Sequence, residues 1–357
     1  MIGLTAGGTA LSLSRNPHWI FRLFDFPRLQ IAIASAASAA LYWRFFFGGS
    51  TLEIVMLVAA ALTLAWQVFK IFPYTPLARE QATAAEAGAD NPNVFSLLVA
   101  NVLMENREHQ RIIDLIRQTR PDIVLTVETD AAWCEALEIL ETDYPHRVKQ
   151  CQDNYYGMVL MSRLPLVKPK VRFVVQEDVP SIHTRIRLRS GAEIVMHGIH
   201  PRPPEPVRDQ ISAPRDAELV LLGKEIKGSG EEDSVVAGDL NDVAWSHTSQ
   251  LFVRLSRLLD PRVGRGLYNT YNAKNPLFRF PLDHVFHART FKLVKLQRLP
   301  KIGSDHFPML IQLLHDPSAP PEQAPPEKKK GDEREARKIV DTEGEKKAEG
   351  KDRPNDG

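Results

Sequence analysis

Two apolar runs near the start of the chain leave it few environments. Residues 29–47 read LQIAIASAASAALYWRFFF and residues 52–72 read LEIVMLVAAALTLAWQVFKIF. As a helix rising 1.5 Å per residue, the second run spans roughly 30 Å, the hydrocarbon thickness of a bilayer. Gly48-Gly49-Ser50 breaks the chain between them. Tyr42, Trp43, Trp66 and Tyr74 lie near the run ends, as an aromatic belt would, and Arg44, Glu53 and Lys70 can snorkel out. Residues 29–72 are therefore expected to form a transmembrane helical hairpin, with a pair of buried soluble helices as the alternative. The doubling and the late start exclude a cleavable signal peptide.

Residues 1–28 form an N-terminal segment whose weak apolar run, 1–14, could be part of another span. Arg15, Arg22 and Arg28 before the hairpin, with Lys70 and Arg79 after it, put both ends in the cytoplasm by the positive-inside count. A third span would reverse the side of everything downstream. Residues 73–92, rich in Ala and Pro, read as a linker. From residue 316 to 357 the chain is Pro, Glu, Lys and Asp with few apolar residues, and is expected to be disordered. The net charge of +1 gives no global field for nucleic acid. Cys134 and Cys151 fit no zinc spacing and could form one disulfide or none.

Residues 93–315 read as a globular α/β domain. Strand patterns cover 94–99, 122–127, 157–162, 184–188, 193–199, 235–238, 280–286 and 309–313, with helices expected over 107–117, 131–140 and 216–227. The strand ends carry one restricted set of residues: Asn101, Glu128, His200, Asp239 with Asn241, Asp283, and Asp305 with His306. Asp239 and Asn241 lie two apart and so point the same way from an extended chain. Taken singly, each has a plain reading: G-D-x-N is an ordinary turn, Asn101 a turn cap, Glu128 a surface carboxylate. Taken together, with no Ser or Lys nucleophile arrangement beside them, they point to a hard, oxygen-ligated metal and phosphoryl chemistry.

The order and context of these pieces resemble the endonuclease/exonuclease/phosphatase superfamily. The matching stretches are VANV at Asn101, VET at Glu128, YGMVLMSRLP around Gly157, GIHPRPP at His200, AGDLND at Asp239, PLDHVF at Asp283 and GSDHFP at Asp305. Within it, the chain looks most like bacterial membrane-anchored members, which often place the domain outside the cytoplasm, at the inner membrane. The resemblance implies a four-layer α/β/β/α sandwich of two packed mixed sheets. It also implies that Glu128, Asn101 and Asp305 hold Mg²⁺ (or Mn²⁺). Asp239 would activate water with Asn241 beside it, His306 would meet the phosphoryl oxygens with Asp283 holding its ring, and His200 would contact phosphate or assist the leaving group. Two positions depart from the common pattern: Val127 where many members have Gln, and Pro201 where many have Leu.

The expected function is a membrane-anchored Mg²⁺-dependent phosphoesterase, working by in-line attack of water on a nucleic acid, phospholipid or prenyl phosphate. The alternative is an inactive membrane-tethered scaffold of the same fold. A two-metal calcineurin-like phosphoesterase would need D-x-H and G-N-H-D/E motifs, which are missing. Arg202, Arg208 and Arg215 could face phosphate near the proline-rich loop, or be solvated or paired. The stretch 262–268 with Tyr271, Lys274, Phe278 and Arg279 is the best candidate for a nucleic-acid groove, with a loop of mixed surface residues as an equal alternative. The lipid bilayer is the other expected partner, and oligomeric state is left open.

Overall fold

The computed structural model describes residues 1–88, 90–204, 211–230, 233–318 and 323–348. They fall into two compact units, one of Met1–Arg79, Pro204–Ser212 and Val263–Leu267, the other of Glu80–Pro203, Ala213–Arg262 and Tyr268–Gly357.

The first unit holds α1 (Ile2–Ser12), the single turn α2 (Trp19–Arg22), α3 (Arg28–Phe45) and α4 (Thr51–Ile71). The Gly-Gly-Ser break becomes a cap. Ser50 accepts from the Glu53 N–H, and the Glu53 carboxylate accepts from the Ser50 N–H at 2.9 Å. Where α1 and α3 meet α4, polar contacts lie among buried Ile2, Ile31, Ala32, Ala60 and Ile71. Gln67 donates to Thr9 Oγ1 at 2.7 Å, Arg28 donates to Gln67 Oε1 at 3.0 Å and pairs with Asp25, and Ser35 donates to the Ala60 carbonyl at 3.1 Å. Outward, α4 shows Leu52, Ile54, Val55, Val58, Leu62 and Phe69. A helical bundle in water has the opposite arrangement, because exposed apolar surface costs free energy there. Among the described residues one helix, Thr51–Tyr74, is long and apolar enough to cross a membrane. The first expected span does not reach that standard: α3 has 18 residues, with Ser35 and Ser38 inside it and Arg28 and Arg44 at its ends.

The second unit is built in the order β1 (Val94–Asn101), α5 (His109–Thr119), β2 (Ile123–Val127), α6 (Ala131–Ala136), β3 (His146–Gln150), β4 (Met158–Ser162), β5 (Leu166–Arg172), β6 (Ser181–Arg187) and β7 (Glu193–Ile199). It continues with α7 (Ala213–Gly228), β8 (Ser234–Asp239), α8 (His247–Ser256), β9 (Asp283–His287), β10 (Phe291–Arg298), β11 (Met309–His315) and α9 (Asp332–Ala348). Two mixed sheets result, ordered β10-β11-β1-β2-β4-β3 and β5-β6-β7-β8-β9. Each has one parallel pair, β1 with β2 and β7 with β8; the other neighbours are antiparallel.

Strand alternation assigns the faces. On β1, Leu97 and Val99 enter the core with Leu125, Ile182, Met196 and Val235, while Leu98 and Ala100 pack with Ile112 and Ile116 of α5 and Trp133 of α6. Leu219 and Leu222 of α7 and Phe252 of α8 also join the core that holds the second sheet. Across the core, Gly198 of β7 meets Leu125 of β2 so closely that an added Cβ would lie 3.1 Å from a leucine methyl.

One finding alters the sequence expectations, and another decides a pairing they left open. The tail read as disordered contains α9, where Asp332 pairs with Arg254 at 2.8 Å, Glu335 with His247 at 2.6 Å, and Ala336 packs among Val220, Leu251 and Leu255. Its sequence hid this because ion pairs do much of the docking. Residues 349–357 lie outside the described residues. Cys134 of α6 is joined to Cys151, just after β3, by a disulfide.

Candidate active site

The two parallel pairs bring four strand ends together, and the chemistry collects there. Asn101 ends β1, Glu128 follows β2, His200 follows β7, and Asp239 ends β8. Asp283 opens the antiparallel β9 directly opposite Asp239, so the two carboxylates share a register position. Asp305 and His306 precede β11. Gly238 makes the β7–β8 approach possible. Its φ is +146°, and a Cβ there would lie 1.8 Å from the Ile199 carbonyl oxygen. Any side chain would push Asp239 away from His200.

Backbone strain falls on site residues. Glu128 has φ 61° and Asn241 φ 51°, both in the left-handed region. Asn tolerates this; for Glu it costs about 1–2 kcal/mol, held by the surrounding fold.

Hydrogen bonds tie the set into one network. The Asn101 amide donates to Glu128 Oε1 at 2.6 Å and Asp239 Oδ2 at 3.0 Å, while its Oδ1 accepts from the Leu103 N–H. Asp239 Oδ1 accepts from the Asn241 N–H at 2.8 Å, and Oδ2 lies 3.6 Å from His306 Nε2 and 3.9 Å from His200 Nε2. His306 Nδ1 bonds Asp283 Oδ2 at 2.7 Å. Thr270 Oγ1 accepts from the N–H groups of Leu282 and Asp283, setting the start of β9. Asn241 turns its side-chain amide to the Pro201 carbonyl at 3.0 Å. It therefore braces the loop after His200, and its backbone N–H, not its side chain, serves Asp239.

Burial and charge sort the protonation states. Burial pushes the Glu128 carboxyl up to about 7, aided by Asp239 and Asp305 and opposed by Asn101 and His306. Burial also raises Asp239, with His306 opposing and Asp283 adding. For His306, burial works against the charged ring, but Asp283, Asp239 and Asp305 outweigh it and lift the ring to about 10. His200 goes the other way: burial and the positive His306 lower it to about 3, so it is a neutral imidazole.

The residues fit a hard cation. Ligand atoms of Glu128, His200 and Asp239 lie within 4.8 Å of one another; those of Asp239, Asp283 and His306 do so too, but a protonated His306 has no lone pair to offer a metal. Asp283 Oδ1 and both ring nitrogens of His200 are buried without a hydrogen-bond partner among the described residues. A cluster of carboxylates raised by burial and by one another is relieved by positive charge, and oxygen donors suit Mg²⁺ or Mn²⁺. Asp305 stands at the edge of this group, near enough to act on Glu128 and His306.

At the rim, the open alternatives resolve mostly towards pairing. Arg215 is buried against Asp216 and Asp242 and donates to the Asn241 carbonyl at 2.7 Å, so it supports the β8 turn. Arg202 pairs with Asp178 and lies 4.9 Å over the Tyr156 ring, which leans on His200. Arg208 lies outside the described residues. Arg262, expected to line a groove, is buried against Asp260 and His284. Sequence reasoning gave Tyr156 no role and offered Tyr271 only as a groove residue; the Tyr271 ring sits 5.0 Å from that of His306. Aromatic residues beside the motifs were the available signal, and they carry no spacing rule.

The endonuclease/exonuclease/phosphatase family model matches residues 98–306, which contain every residue of this network. Solved structures share the fold at low identity. A humanized D. rerio TDP2 is 16% identical with TM-score 0.52, covering 62% of this chain and 99% of its own. D. rerio TDP2 complexed with a single-strand DNA product is 17% identical with TM-score 0.52, over 62% and 98%. The human Nocturnin catalytic domain with bound sulfate is 15% identical with TM-score 0.51, over 63% and 96%. No curated protein matches the chain by sequence. With the family model spanning more than half of the chain, and strand ends converging as they do, the chain belongs to the endonuclease/exonuclease/phosphatase family of metal-dependent phosphoester hydrolases.

Proposed function

We propose that the chain is a membrane-anchored, Mg²⁺-dependent phosphoesterase that attacks its ester directly with water. The observation that carries this reading is the line Asp283–His306–Asp239, a carboxylate holding an imidazolium that faces a second carboxylate. Asp239 accepts the proton of the attacking water, oriented by the N–H of Asn241 and the amide of Asn101. His306, kept charged by Asp283, donates to the phosphoryl oxygens as charge builds there. His200, neutral and beside Asp239, presents a ring nitrogen to the phosphate or its leaving oxygen. A divalent cation held by Glu128, Asn101 and Asp305 would add Lewis acidity toward the phosphoryl group. The O–P bond to water forms as the bond to the leaving oxygen breaks, with no covalent enzyme intermediate.

The membrane anchor is supported by the inverted polarity of the first unit, where apolar side chains face out and Thr9, Gln67, Arg28 and Ser35 pack inside. Small and polar residues between helices are what lipid-embedded bundles use. On this reading α3 and α4 both cross the membrane. The disulfide Cys134–Cys151 favours an oxidising compartment for the catalytic unit. Of the arginines that argued for a cytoplasmic start, Arg22 and Arg28 are buried and paired with Asp25.

The test is hydrolysis of bis-p-nitrophenyl phosphate by detergent-solubilised full-length protein. Activity should require added Mg²⁺ or Mn²⁺, and Asp239→Ala or His306→Ala should each lower kcat by about 10²–10³-fold. Turnover that survives chelation, or survives Asp239→Ala, would sink the mechanism.

A further inference from the structure

Several arginines of the catalytic unit have a carboxylate: Arg172 has Glu225, Arg187 Glu193, Arg189 Asp122, Arg202 Asp178, Arg254 Asp332 and Arg262 Asp260. Arg279 and Arg298 have none among the described residues, as is also true of Arg163, Arg257 and Arg289, but these two share a place next to the site. Both guanidinium groups instead lie over the same ring, that of Phe307, at 5.0 and 4.4 Å. Phe307 directly follows the catalytic His306, and its own N–H donates to the Thr270 carbonyl.

The two arginines bracket a short segment that reaches the site. Arg298 donates to the Asn269 carbonyl at 2.8 Å, and Arg279 to the Asn272 carbonyl at 3.3 Å. Between those anchors stands Tyr271, the residue that leans on His306. Each arginine thus spends one donor on a backbone carbonyl, and the rest of its fork has no hydrogen-bond partner among the described residues. Two like charges gathered over one ring repel: burial, and then Arg279, lower the pKa of Arg298. Lys274, on the same loop, also lacks a carboxylate among the described residues and is exposed. Cations held together by backbone carbonyls and a ring, with no acid between them, fit an anion that arrives from outside.

We propose that Arg279 and Arg298 form a second phosphate subsite beside the catalytic residues, so that the natural substrate carries at least one phosphate besides the one cleaved. The proposal rests on the phosphoesterase reading and narrows its substrate class to polyphosphorylated esters. The extra phosphate could belong to the next residue of a nucleic-acid strand or to a phosphorylated lipid headgroup. A guanidinium fork recognises the same oxygens in either.

Two matched pairs of substrates separate these sources. One pair is the p-nitrophenyl ester of thymidine 5′-phosphate with and without a 3′-phosphate. The other is phosphatidylinositol in mixed micelles with and without a ring phosphate. In one pair, the second phosphate should raise kcat/KM by about tenfold or more through KM, one charge-assisted hydrogen bond's worth. In the Arg279→Gln/Arg298→Gln protein that ratio should fall towards one, and Arg279→Lys/Arg298→Lys should keep part of it. The gain should also shrink as salt rises.

A binding arm stands apart from turnover: titration of full-length protein with thymidine 3′,5′-bisphosphate against the 5′-monophosphate, and with the two lipids. If hydrolysis fails throughout while binding still discriminates through the arginines, the hydrolase reading falls and the subsite stands. If substrates are cleaved but neither pair shows a second-phosphate gain, or the gain survives the double Gln variant, the subsite is refuted and the hydrolase reading is untouched. Melting curves of each variant establish that it is folded before the ratios are compared.

Discussion

Single residues in this unit hold protonation states that water would not give them, and one such residue lies outside the site. Glu218 of α7 is buried, its Oε1 has no hydrogen-bond partner among the described residues, and burial pushes its carboxyl up to about 8. An unfolded glutamate releases its proton near 4.5. Between those values the folded chain binds the extra proton, so stability falls as pH rises from about 4.5 towards 8, by up to about 1.4 kcal/mol per pH unit. Glu218→Gln removes the titration. The variant should melt close to wild type near pH 4.5 and clearly above it at pH 8; equal melting temperatures at both would show that Glu218 is solvated or paired. At the candidate site, the residue types that converge were legible because few other sites need carboxylates, amides and imidazoles at successive strand ends. How each is held was less so. Asn241 meets Asp239 through its backbone N–H, and that depends on a φ of 51° which no residue name announces.

Among the elements, the strands foreseen from sequence are mostly interior ones, such as β1, β2, β4 and β8, buried on both faces. The strands that escaped are β3, β5 and β10, and all three lie at sheet edges. Edge strands are kept from pairing with other chains by charge and proline, so their alternation is blurred: HRVKQ, LVKPKVR and FKLVKLQR. The helix α9 escaped for a related reason, since its contacts to Arg254 and His247 are ionic. Pairing of the cysteines could not be read either, because α6 and β3 meet only in the folded unit. The disulfide closes a separation of 17 residues, and its loss should cost about 3 kcal/mol by chain entropy. Cys134→Ser should therefore lower the melting temperature by several degrees. Thiol trapping in intact cells should find neither cysteine reactive; a free thiol there would place the catalytic unit in a reducing compartment.

At the scale of the molecule, the two units differ in how many large apolar side chains they expose, and the sequence showed this as a change of composition near residue 73. Their inner order was less visible. That polar side chains face inward around α4 follows from helix pairing, which an apolar run does not encode. The catalytic unit has its own large-scale property. Asn101 and Glu128 belong to one sheet, and His200, Asp239 and Asp283 to the other, so the network is assembled only while the sheets keep their alignment. The close contact of Gly198 with Leu125 lies within that sandwich. The two sheets act like the scales of a vernier, and turnover reads their offset more finely than a melting curve does. Gly198→Ala inserts one methyl where Leu125 must give by a few tenths of an ångström. It should lower kcat/KM by about tenfold, since misplacement near 1 Å can cost about 10²-fold, while leaving the melting temperature within a few degrees. Substitutions deep in this core would then show themselves first as slow enzymes and only later as unstable ones.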